Sequence, residues 1–264
     1  MGNDEMTFWE HLDVLRNVLL RIIVLCAILF VVLIIAMPHI FDTVILAPCS
    51  DNFLLYRLLD LMSRFLPAMP SFATGQFEVA LVNIQLASQF FVHMSTALWL
   101  SVVLIFPYIL YQLWQFISPA LYPEENKKLR AAFMWSNLFF YLGLMVGYFV
   151  VFPLTLRFLS TYQLSTLVPN QISLDSYMSN FLSLTFAMGI IFQLPLLCKL
   201  LSVFGLIDRS FFMHYRRHAI VVLLIVAAFI TPSGDPFTLV VVFLPIYAIY
   251  EISALFVVKG RKYS

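Results

Sequence analysis

Residues 116–130 read FISPALYPEENKKLR. This is the first polar interruption with long apolar runs on both sides, and the fold is read outward from it. Pro119 stops the helix arriving from the left, because proline offers no N–H and clashes with the preceding turn. Pro123 sits where a first helical position tolerates proline, and Glu124 and Glu125 place negative charge in the first turn, where the positive end of the helix dipole favours it. Lys127, Lys128 and Arg130 follow. The stretch is a short, rigid corner between two helices that presents two adjacent carboxylates at a membrane surface. Acidic first turns are ordinary helix capping, so the corner does not decide between capping and binding by itself.

The chain around it is 62% hydrophobic and only 11% charged across 264 residues, where a soluble domain carries about 25% charged residues. A chain this apolar, with its apolar residues in long runs, is a polytopic all-α membrane protein. Its net charge of +1 leaves no basic face for nucleic acid. Cys26, Cys49 and Cys198 form no spaced pair, so neither a disulfide framework nor a metal site is expected. The N-terminus is acidic at Asp4, Glu5, Glu10 and Asp13, unlike the basic start of a cleaved signal peptide.

Apolar runs fall at about 17–37, 90–117, 131–152, 179–204, 219–230 and 237–258, and the sequence predicts six spanning helices in one membrane domain over 1–264. A span needs about 20 residues. The fifth run, between Arg217–His218 and Thr231–Pro232, is too short, and Pro245 and Glu251 interrupt the sixth. A short hairpin of helices five and six is therefore predicted, one that thins the bilayer beside it or meets partners that relieve the mismatch. Of the 15 Lys and Arg residues, only Arg57, Arg64 and Arg157 fall outside if the N-terminus is inside. The positive-inside rule then places both termini in the cytoplasm. The first outer segment, about 38–89, is long enough to carry its own structure. Within 51–66, Leu54, Leu55, Leu58, Leu59, Met62, Phe65 and Leu66 share one helical face opposite Arg57, Asp60 and Arg64, as in a helix lying on the membrane. The second outer segment, 153–178, opens at Pro153.

Polar residues inside the runs are few. Glu251 is the one carboxylate within an apolar stretch, where a charge is costly unless it is paired or reaches the interface. Gln193 coincides with Pro195, joining a polar amide to a helix distortion, and an amide there suits an interhelical hydrogen bond. Asp235, in the TPSGDPF turn, fits a turn former or the N-cap of a last helix beginning at Pro236. His11, His39, His93, His214 and His218 are scattered without ligand spacing. No phosphate loop or nucleophile elbow is present, so no enzyme, cofactor or metal is expected.

The motifs HLDVLR (11–16), AP (47–48), ASQFF (87–91), PYILYQLWQFISPALYPEE (107–125), YFVVFPL (148–154), FQLP (192–195), TPSGDPF (231–237) and YEIS (250–253) resemble the TatC family, the polytopic receptor subunits of the twin-arginine protein translocase. The resemblance implies a curved scaffold of six helices in the bacterial inner membrane. It also implies a receptor that takes twin-arginine signal peptides of folded cargo at its cytoplasmic face. On this reading TatA- and TatB-type single-span partners are recruited into an oligomeric complex, and export is driven by the proton-motive force. By that resemblance Glu125 is the key carboxylate and Glu124 assists it. Arg16 and Asp13 belong to the tail contact, and Phe116, Pro119, Leu121 and Tyr122 shape the corner. Pro48, Pro107 and Asp235 are structural, and Gln193 and Glu251 are assigned to partner-helix docking. Two departures stand out. Val14 occupies the tail position where the family carries glutamate, leaving Asp13 about 100° round the helix. Gln193 stands where many members carry glutamate. The rival reading, a proton-coupled small-molecule transporter built on Glu251, predicts several ionisable groups around a cavity and an internal repeat; the sequence offers one such group and no repeat.

Overall fold

In lipid, every backbone polar group must be bonded within its own segment, so apolar runs fold as helices. The computed structural model of the chain describes residues 8–50, 52–65, 79–118, 123–165, 167–168 and 170–257, with only the backbone described for 8–11, 62–65 and 123–128. Its elements are α1 (Phe8–Ile40), α2 (Leu54–Phe65), β1 (Leu81–Val82), α3 (Ser88–Ile117), α4 (Pro123–Val146), α5 (Phe152–Thr161), β2 (Ile172–Ser173), α6 (Leu174–Ile191), α7 (Leu194–Val203), α8 (Arg209–His214), α9 (Arg216–Ile230) and α10 (Pro236–Phe256). Five stretches are long and apolar enough to cross a bilayer: Leu12–Cys49, Ser88–Ile117, Leu129–Thr161, Leu174–Val203 and Pro236–Phe256. The sixth apolar helix, α9, has 15 residues. At 1.5 Å per residue it is about 22 Å long, against about 30 Å of hydrocarbon. The short fifth span is as the sequence predicted.

Several boundaries differ from the sequence reading. The first span was expected to end before Pro38, yet α1 runs through Pro38 to Ile40 and continues as a π turn over Phe41–Ile45. Proline removes the N–H that would bond the Ile34 carbonyl, and His93 Nε2 supplies a replacement donor at 2.9 Å. The expected opening of the second outer segment at Pro153 is also corrected. The chain passes from α4 through a π turn at Gly147–Val151 into α5, with Pro153 in its first turn, where a missing N–H goes unnoticed. Helix α10 runs through Pro245 and Glu251 without a break. The fourth span divides at Gln193 into α6 and α7, with Pro195 at the start of α7.

The amphipathic segment forms as α2. Phe53 and Tyr56 are the buried residues, while Leu54, Leu58 and Leu61 stay exposed. Tyr56 is 1% exposed; its hydroxyl donates to the carbonyls of Pro48 (3.2 Å) and Pro153 (3.1 Å), and Arg157 lies over its ring at 5.1 Å. Burial pushes the Tyr56 phenol above its ordinary range, with Arg157 opposing, so it remains a donor.

The chain divides into two compact units. The first holds residues 1–37 and 93–137. There the Cys26 thiol and Ser101 hydroxyl are 3.2 Å apart, and the Trp114 and Phe133 rings lie 5.1 Å apart. The second holds residues 38–92 and 138–264. Its centre is aromatic: Phe152 meets Tyr177 at 5.2 Å and Phe181 at 5.0 Å, both edge to face, the geometry that ring quadrupoles prefer. Here α4 and α6 touch through glycine. A Cβ on Gly143 would lie 2.5 Å from the Met188 carbonyl oxygen, and one on Gly147 would lie 2.7 Å from Thr185 Cα. Small residues allow this backbone approach, which is how helices gain contact without a hydrophobic driving force between them. β1 and β2 form a parallel two-stranded ladder.

Candidate functional site

The corner is built by the ends of α3 and α4. α3 stops at Ile117, immediately before Ser118, and α4 begins at Pro123, so Glu124 and Glu125 occupy its first turn as expected. Pro119, Leu121 and Tyr122 lie outside the described residues, and Glu124 and Glu125 are described by backbone alone.

Beside the corner, within the first unit, α1 and α3 enclose a cleft of about 420 Å³. From α1 it is lined by Val14, Asn17, Val18 and Arg21, one helical stripe; from α3 it is lined by Gln112, Gln115 and Phe116. Of the predicted site residues, Phe116 is brought directly into it. Asp13 and Arg16 are exposed on α1 but do not line it. Val14 does line it.

Gln112 was not singled out by sequence reasoning. It is 3% exposed; its Nε2 donates to the Tyr108 hydroxyl at 2.6 Å, while its Oε1 is buried without a partner. An unmet buried acceptor costs about 1–3 kcal/mol, so this atom is a ready place for an incoming donor. A glutamine inside the apolar run 90–117 was the available signal. A second cleft of about 230 Å³ lies between α3 and α4, where Pro107 and Arg130 both line it; the adjoining Asn137 has a buried, unpartnered Oδ1.

The remaining predicted residues have local partners. Pro48 is buried in a 3-10 turn and its carbonyl accepts from Tyr56. Asp235 caps α10, accepting from the Thr238 N–H at 2.7 Å and the Ser233 hydroxyl at 2.6 Å. Its partial burial raises the carboxyl's pKa, but these hydrogen bonds prevail and hold it below the usual carboxylate range. Gln193 is half-buried at the start of α7. Glu251 is engaged internally, with Arg216 Nε at 2.7 Å and the Tyr247 hydroxyl donating at 2.6 Å. Among the described residues no cluster of three or more His, Cys, Asp or Glu side chains could hold a metal ion.

Long apolar spans and a further apolar helix too short to cross define a multi-pass helical membrane protein. Comparison with known proteins makes the class specific. The family described as "Sec-independent protein translocase protein (TatC)" matches residues 10–245, and the chain belongs to it. A TatC of Blattabacterium sp. subsp. Periplaneta americana (strain BPLAN) is 34% identical over 251 residues, covering 95% of this chain and 94% of that protein. A TatC of Aquifex aeolicus (strain VF5) is 34% identical over 177 residues, covering 67% and 73%. Among solved structures, a crystal structure of the twin arginine translocase receptor TatC superposes with a TM-score of 0.71 at 29% identity, covering 94% of this chain and 97% of that one. The protein is thus a component of a Sec-independent protein translocase.

Proposed function

We propose that this TatC-family chain is the receptor and core subunit of its translocase. It binds twin-arginine signal peptides at the cytoplasmic face and recruits TatA- and TatB-type single-span proteins, so that folded cargo is exported by the proton-motive force. The setting is the bacterial inner membrane with both termini cytoplasmic, the arrangement favoured by the distribution of Lys and Arg.

The observation that carries the reading is the buried acceptor Gln112 Oε1, left without a donor on a residue that lines the α1–α3 cleft together with Phe116 of the corner. An arginine fork supplies several N–H donors and prefers a carboxylate in two-point contact. Glu125 takes the first guanidinium, assisted by Glu124, and Gln112 Oε1 completes the set of acceptors. Arg21, farther along the α1 stripe, repels a cation moving deeper and keeps the arginines near the corner. Phe116, Pro119, Leu121 and Tyr122 hold the corner's shape, and Asp13 with Arg16 forms the tail contact. Pro48, Pro107 and Asp235 support the scaffold. Partner helices dock on the side of α9, where hydrophobic mismatch thins the bilayer, with Gln193 and the Glu251–Arg216 pair offering polar contacts.

The test is photocrosslinking of a twin-arginine signal peptide to the full chain in native membranes. Glu125→Ala is expected to abolish the crosslink, Glu124→Ala to retain it, and Gln112→Leu to weaken it several-fold. Equal crosslinking in all three variants, with each protein inserted, would return the carboxylates to helix capping.

A further inference from the structure

A cleft of about 340 Å³ lies between α5 and α6 in the second unit. Its α5 wall is an apolar helical stripe: Phe152, Leu156 and Leu159. The opposite wall, leading into and along α6, is hydroxyl and amide: Ser173, Ser176 and Asn180. No charged side chain lines it.

Two polar atoms bordering this cleft lack partners. Thr155 is 1% exposed, and its Oγ1 makes no hydrogen bond. A helical threonine usually bonds the carbonyl three or four residues back, but here the preceding turn is the π turn ending at Val151. Asn180 uses its Nδ2 on the Ser176 carbonyl at 2.9 Å, while its Oδ1 is buried with no donor. At the mouth runs β2, an extended segment that pairs with β1 on one edge; among the described residues no strand lies on its other edge.

A ligand for this place is elongated, uncharged and rich in N–H donors. A phospholipid headgroup is a poor match, because the lining offers no cation for its phosphate. A peptide backbone is a good one: an extended segment can add along a strand edge through main-chain hydrogen bonds, with small side chains turned toward the apolar wall. Resting on the receptor reading above, we infer that this cleft receives an extended, uncharged peptide segment, the part of the exported chain that follows the apolar stretch of its signal peptide. Backbone N–H groups of that segment donate to Asn180 Oδ1 and Thr155 Oγ1.

The experiment uses the full chain in native membranes and two twin-arginine peptides, one with a benzophenone beside the arginines and one with it behind the apolar stretch. The rear probe is expected to label residues 170–180, and Thr155→Val combined with Asn180→Leu should reduce that labelling about tenfold, the worth of one to two hydrogen bonds. Labelling by the front probe should be unchanged, which also reports that the double variant folds. The inference is overturned if the rear probe labels another segment, if the double variant labels as well as the parent, or if a lipid-borne benzophenone labels the cleft equally with peptide bound. Silence from both probes would remove the receptor reading, and this inference with it.

Discussion

Replacing His93 by leucine should expose how α1 survives a proline in its span. Pro38 cannot donate to the Ile34 carbonyl, and the imidazole of His93 reaches that oxygen at 2.9 Å. His93→Leu leaves the carbonyl without this donor at a site half-buried on α3. The full penalty for an unmet buried acceptor is about 1–3 kcal/mol, while membrane measurements of interhelical hydrogen bonds average about 0.6 kcal/mol; about 1 kcal/mol is the expected loss. Pro38→Ala restores an N–H four residues after Ile34 and makes the histidine redundant, so in that background His93→Leu should cost only a few tenths of a kcal/mol. The assay is unfolding by sodium dodecyl sulfate in mixed micelles, followed by tryptophan fluorescence, for both single variants and the double variant. A cycle in which the two substitutions add without coupling would refute the pairing, since residues that share one hydrogen bond must couple.

Gly143→Ala should destabilise by about 1–3 kcal/mol in the same assay, because its Cβ would meet the Met188 carbonyl oxygen at 2.5 Å; an unchanged midpoint would mean that α4 and α6 are not held this close. The cap at Asp235 has a sign that can be checked against pH. Its folded pKa is depressed, so its contribution is present above the ordinary carboxylate value of about 3.9 and is lost as pH falls through the lower folded value. Asp235→Ala should cost about 1 kcal/mol at neutral pH and flatten that acid loss in thermal melts. Glu251→Gln should cost less than about 1 kcal/mol, since both members of the pair with Arg216 are partly exposed and such pairs contribute little; a larger loss by chemical denaturation would mark the pair as structural.

Most of the spans were legible because hydrophobic runs of span length have few alternatives, and the short α9 followed from the spacing of Arg217 and Thr231. The failures share a cause. Pro38 and Pro153 suggested helix ends, but a donor from elsewhere for the first and a place in a first turn for the second remove the penalty that makes proline a breaker, and the chain gives no local sign of either; Pro245, read as an interruption, lies inside α10. His93 is 59 residues from the carbonyl it serves. The α2 stripe was visible from its period, yet burial went to Tyr56 because its partners, Pro48 and Pro153, are separated along the chain by about a hundred residues. At the candidate site the corner was plain from its prolines and carboxylates. The unmet acceptor of Gln112 was not, because a single amide in a helix reads as polar glue until both ends of its hydrogen bonding are seen.

The receptor reading requires that this chain discriminate paired arginines. It is tested most directly by the affinity of the full chain, reconstituted in lipid nanodiscs, for a signal peptide carrying two arginines and for the same peptide carrying two lysines. Lysine keeps the charge but loses the planar fork, so the arginine peptide should bind about tenfold or more tightly, the worth of one to two charge-assisted hydrogen bonds, and Glu125→Ala should erase the difference. Equal affinities for the two peptides would contradict the account.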